Sequence, residues 1–123
     1  MKNSDPSMSS RIKSFRYAWN GIKVLYLEPN FKLHLLAILG VSSLGFYFQI
    51  SQIEWLFIIF AIGFVIITET LNTSIEYLAD SISLEYNKNI EIAKDLGATS
   101  VLFSSIFAFI IGLIIFMPKV SIH

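Results

Sequence analysis

Four polar residues in the second half of the chain have the types and spacing for chemistry. Glu69, Asn72, Glu76 and Asp80 stand three, four and four residues apart. At about 100° per residue on a helix they fall within roughly an 80° arc, so one face carries an acidic stripe. The stripe starts where a very apolar run ends, and ionisable groups in such a place are costly and by default functional. A partly desolvated carboxylate at a membrane edge, as expected for Glu69, is a better proton acceptor than one in water. Glu76, two turns on, suits a hard cation such as Mg²⁺, which takes one or two protein carboxylates and completes its shell with phosphate oxygens and water. Asn72 can orient either carboxylate, and Lys94 can neutralise phosphate charge. Such a set suits phosphoryl transfer, where positioning and electrostatics do most of the work. The same stripe also fits an ion or proton pathway that needs no nucleotide, or plain solvation beyond the membrane edge.

The elements that must carry these residues follow from composition. Of 123 residues 54% are hydrophobic and 15% charged, and the apolar residues come in long blocks. A soluble chain this short could not bury so much apolar surface. The expected class is an all-α membrane protein in a single domain over 1–123, with three transmembrane helices preceded by an amphipathic surface helix. The formal net charge is zero, which gives no argument for nucleic-acid binding. Without Cys there are no disulfides and no thiolate metal sites. Neither a phosphate-binding loop nor a kinase-type glycine loop is present.

In chain order, a polar start leads to a helix over about 9–28, with Ser9 or Ser10 as candidate caps. Ile12, Phe15, Trp19, Ile22 and Tyr26 form its apolar stripe, with Lys13, Arg16, Asn20 and Lys23 beside or away from it. Glu28-Pro29 breaks the helix, because the residue before proline avoids the helical region. Spans are expected over about 31–48, 54–80 and 94–117. His34, near the start of the first, reads as an interfacial or helix-packing residue. Trp55 to Thr68 is too short to cross alone, so its helix must run on into the stripe, leaving Glu69 about 20 Å along the axis from Trp55. A polar loop over 81–91 follows, and Pro118 is expected to end the last span. Lys and Arg concentrate before residue 33 and around the second loop. The positive-inside rule therefore turns the N-terminus and the stripe towards the cytoplasm.

At these residues the chain resembles the prokaryotic diacylglycerol kinase and undecaprenol kinase family. The element Glu69-x-x-Asn72-x-x-x-Glu76-x-x-x-Asp80, then Ala93-Lys94-Asp95 and Gly97-Ala98, carries the resemblance, which covers nearly the whole chain. It implies ATP- and Mg²⁺-dependent phosphorylation of a lipid hydroxyl at the cytoplasmic face of a bacterial inner membrane. It also implies a homotrimer with the active site shared between subunits. By position, Glu69 resembles the catalytic base, and Glu28 and Glu76 the metal-binding carboxylates. Arg11, Tyr17, Glu28, Glu76, Glu85, Tyr86, Asn87, Lys94 and Asp95 resemble the nucleotide site, with Asn72 and Asp80 in support. His34 and Ala98 depart from the diacylglycerol branch and lean towards a polyprenol substrate.

Overall fold

The computed structural model describes residues 8–82 and 85–122. Four helices follow in order: α1 Met8–Tyr26, α2 Pro29–Tyr47, α3 Gln52–Ile82 and α4 Lys88–Ile122. The polar start before Met8 and positions 83 and 84 of the second loop lie outside the described residues. Helix α1 begins at Met8, so Ser9 and Ser10 stand inside its first turn instead of capping it.

Glu28 is extended (φ −82°, ψ 126°) and Pro29 takes the first turn of α2, where its missing N–H costs nothing. The two helices meet at 91°. Leu25 and Phe31 are buried at this corner, with Tyr26 packed edge-on to Phe31 at 6.2 Å. Along the rest of α1 the apolar stripe is uncovered: Ile12, Phe15, Trp19 and Ile22 are all exposed. A helix lying at right angles to its successor with an unpartnered apolar stripe has the form of an interfacial helix.

At 1.5 Å per residue α3 and α4 are roughly 46 and 52 Å long, well beyond a hydrocarbon core of about 30 Å. Both are long and apolar enough to cross a membrane. Helix α2 has 19 residues, and its first turns carry Asn30, Lys32 and His34. It meets the same criterion only together with α1 across the bend.

A tight turn joins α2 to α3. Ile50 N–H donates to Gly45 C=O at 3.1 Å and Gln49 N–H to Phe46 C=O at 3.3 Å. Gln49 sits in the left-handed region at φ 52°. This is a Schellman ending with glutamine where glycine is usual. Gly45 is required for another reason: a Cβ there would lie 2.6 Å from the Trp55 ring. Ser51 and Glu54 then close a capping box at the start of α3, Ser51 N–H to Glu54 Oε1 at 2.9 Å and Glu54 N–H to Ser51 Oγ at 3.1 Å.

Helices α3 and α4 make the main interface, antiparallel, with positions rising on one as they fall on the other. Glu54 meets Lys119 at one end and Asp80 meets Lys94 at the other. Between them Phe64 stacks on Phe107, and the Thr68 and Ser104 hydroxyls share a buried hydrogen bond at 2.7 Å. Ile50, Ile58, Ile115 and Phe116 form a core near the Glu54 end. The last helix does not stop at Pro118 but contains it and runs to Ile122. Lys119, next in sequence, donates to Glu54 Oε2 at 2.8 Å and to Ile115 C=O at 3.3 Å. That clamp offsets the backbone bond the proline removes.

Candidate active site

The acidic stripe lies on α3, but its members divide by surroundings. Glu69 and Asn72 belong to the buried side of the helix that also carries Ile58, Ala61, Val65 and Thr68. Glu76 and Asp80 are exposed. Helix α4 still covers one side of α3 past Asn72, where Thr73 and Ala79 are buried, but Glu76 and Asp80 lie off that covered side.

Glu69 is only 5% exposed. A buried carboxylate needs a compensating partner. Its one ion-pair partner among the described residues is His34 of α2, Nε2 to Oε1 at 3.3 Å. From the sequence His34 reads as an interfacial or helix-packing residue, not as a partner of Glu69. The pair is remote along the chain, and no local pattern marks it; the only available signal was an ionisable group near the end of an expected span.

Asn72 makes no hydrogen bond to either carboxylate. Its Oδ1 is buried without a partner and rests against Gly97 of α4, where a Cβ would collide with it. Gly97 therefore lets α4 approach the stripe. Asp80, whose role sequence left least defined, accepts a hydrogen bond from Lys94 Nζ at 2.7 Å. Glu76 stands close enough for its charge to act on the same ammonium. Lys94 thus faces two carboxylates of the stripe. Asp95 beside it is exposed.

The loop residues are engaged locally. Asn87 Oδ1 accepts from the N–H groups of Asn89 and Ile90 at 2.9 and 3.2 Å, capping α4. Tyr86 O–H donates to Glu91 Oε1 at 3.1 Å, and Lys88 pairs with the same carboxylate at 3.6 Å. Glu85 is exposed beside them. On α1, Arg11 and Tyr17 are exposed, and α1 packs mainly on α2. Neither makes a hydrogen bond or ion pair to the described residues of α3. Glu28 is half-buried at the α1–α2 corner and makes no side-chain capping bond.

Among the described residues, no group of three or more His, Asp and Glu converges as a ready metal site. A hard cation here would rest on one or two carboxylates. Glu28 and Glu76 have the right donor chemistry, since neither carboxylate forms an ion pair among the described residues.

His34 also lines a cleft of about 340 Å³ between α2, α3 and α4. Ala37, Ile38, Val65 and Ile66 are among its walls, and Ser105 is the only other polar side chain there. The cleft is thus a hydrocarbon-lined space that meets the buried carboxylate through one imidazole.

The sequence model of the prokaryotic diacylglycerol kinase family matches residues 16–116. The undecaprenol kinase of Bacillus subtilis (strain 168) is 39% identical over 108 residues, covering 87% of this chain and 88% of that protein. The diacylglycerol kinase of Escherichia coli (strain K12) is 30% identical over 111 residues, covering 89% and 91%. That of Synechocystis sp. is 29% identical over 119 residues, covering 95% and 68%.

Proposed function

The chain belongs to the prokaryotic diacylglycerol kinase family and is a membrane lipid kinase, and from that premise we propose that it transfers the γ-phosphoryl group of ATP to the primary hydroxyl of a polyprenol. The observation that carries this substrate choice is the cleft. A polyprenol joins its hydroxyl directly to hydrocarbon, and the cleft offers hydrocarbon walls up to the His34–Glu69 pair. A diacylglycerol brings two ester groups next to its hydroxyl, and their acceptors would meet apolar walls at a cost. Greater identity to an undecaprenol kinase than to two diacylglycerol kinases supports the same choice.

In this reading Glu69 takes the proton from the lipid hydroxyl. Lys94, held by Asp80, faces the nucleotide phosphates together with Asp95, the segment Glu85, Tyr86 and Asn87, and Arg11 and Tyr17 of the surface helix. Glu28 and Glu76 would hold Mg²⁺, which when bound screens phosphate charge as it moves to the leaving group. The protein assembles as a homotrimer with the site shared between subunits. Supporting this are two nucleotide candidates, Arg11 and Tyr17, that are exposed and make no hydrogen bond or ion pair to the stripe of their own chain. The Lys and Arg distribution supports an inner-membrane orientation with α1 and the stripe on the cytoplasmic side.

The test is direct. The purified protein, reconstituted in vesicles, is given undecaprenol and diacylglycerol side by side with ATP and Mg²⁺. We expect a higher kcat/KM for undecaprenol, since discrimination is set by that ratio. A higher value for diacylglycerol would reverse the substrate assignment.

A further inference from the structure

We propose that His34 is the positioning residue for the Glu69 base, holding one carboxylate oxygen so that the other is presented to the lipid hydroxyl. This rests on the reading of Glu69 as the base and deepens it. The starting point is an imbalance. Glu69 is 5% exposed, yet the only charged or chargeable side chain paired with it among the described residues is His34. The imidazole is itself largely covered, with its side chain 23% exposed.

An ionised carboxylate offers only acceptors, so in this pair the hydrogen belongs on Nε2. The separation of 3.3 Å is long for a hydrogen bond to a carboxylate. Catalytic contacts are often long before substrate completes the site. Held through Oε1, the carboxylate keeps Oε2 for the incoming hydroxyl. As the lipid oxygen bonds to the γ-phosphorus, the bond from that phosphorus to the bridging oxygen of ATP breaks. ADP leaves with the electron pair, and the hydroxyl proton passes to Oε2.

Position gives His34 a second part in the same task. Among the described residues it pairs with Glu69 and is also the one ionisable side chain lining the apolar cleft. The imidazole therefore marks where the hydrocarbon wall ends and the reacting group begins. A lipid alcohol seated in the cleft would bring its hydroxyl to this junction. No ionisable α4 residue lines the cleft beside it: those that do are Ser105, Ala108, Phe109 and Gly112.

The test compares three variants in lipid vesicles with ATP, Mg²⁺ and undecaprenol. His34→Phe keeps a ring in the cleft wall but has no N–H. His34→Gln keeps a neutral N–H donor at similar reach. Glu69→Gln reports on the base itself. Misplacing a reacting group costs about 10- to 100-fold in rate, so His34→Phe should lose that much kcat while KM for ATP stays within about twofold. His34→Gln should recover most of the loss. In the parent, the side-chain ¹⁵N spectrum of His34 should show the Nε2–H tautomer, and Glu69→Gln should change it. Unchanged kcat in His34→Phe, with Glu69→Gln inactive, overturns the proposal alone. Equal losses in His34→Phe and His34→Gln, accompanied by lowered Tm, make His34 a packing residue and overturn it too. Normal turnover in Glu69→Gln overturns the base assignment, and the proposal with it.

Discussion

Lys94 Nζ donates to Asp80 Oδ1 at 2.7 Å, so the polar end of α3 is tied to α4 by the residue we propose faces the nucleotide phosphates. Asp80 is thereby a holder of Lys94. Both side chains are about half exposed, so the pair contributes little to stability. Asp80→Asn should therefore leave Tm nearly unchanged but raise KM for ATP several-fold, because Lys94 is no longer aimed. Lys94→Met should raise it further. Steady-state kinetics with a thermal melt of each variant in detergent checks this; an unchanged KM in Asp80→Asn would detach the pair from nucleotide binding.

Depth along α3 separates two further outcomes. Buried Glu69 is assigned to the lipid hydroxyl and exposed Glu76 to metal and nucleotide. Glu69→Gln should cut turnover by at least about 100-fold while ATP still binds. Glu76→Gln should weaken Mg²⁺ and ATP binding together. Nucleotide titration followed by calorimetry, beside turnover, reads both.

Gly97 lets α4 approach Asn72, and a methyl group there would collide with the Asn72 side chain. Overpacking costs about 1–3 kcal/mol, against a helix-propensity gain for alanine of at most about 1 kcal/mol. Gly97→Ala should thus be destabilised, with lower turnover as the stripe shifts. Adding Asn72→Ala should restore the melting temperature but not the activity, if Asn72 contributes to the site.

The Thr68–Ser104 hydrogen bond is buried between helices in an apolar setting. Ser104→Ala leaves the Thr68 hydroxyl with only Val65 C=O as partner. Interhelical bonds of this kind are worth about 0.6 kcal/mol on average in membranes. A double cycle of Ser104→Ala and Thr68→Val should give a coupling near that value, measured by reversible unfolding in mixed micelles.

Gln49 occupies a left-handed position where glycine carries no Cβ penalty. Gln49→Gly should stabilise the α2–α3 turn by up to about 1 kcal/mol without altering kinetics. A lowered Tm would mean that the Gln49 side chain matters more than its backbone strain.

Much of this was legible in the sequence because it depends on local periodicity. The surface helix, the break at Glu28-Pro29, the long apolar runs and the one-faced acidic stripe all follow from spacings within a few turns, since a helix repeats every 3.6 residues. The stripe with Lys94-Asp95 was specific enough to indicate the family. Other local signals were outweighed. Pro118 reads as a terminator, yet α4 continues through it, because Lys119 is clamped by Glu54 from the far end of α3.

What only the tertiary structure decided is which residues meet across helices. Nothing near His34 in sequence indicates Glu69, nothing near Asp80 indicates that it holds Lys94, and nothing near Gly97 indicates Asn72. The reason is physical. Periodicity says which face of a helix is apolar, but the partner of a polar group on that face depends on the register of two helices, and register is set by packing at distant points. Here Gly45 against Trp55 places α2 on α3, and Glu54 with Lys119 and Thr68 with Ser104 place α4. With those contacts in place, Glu69 lies beside His34 at the end of an apolar cleft.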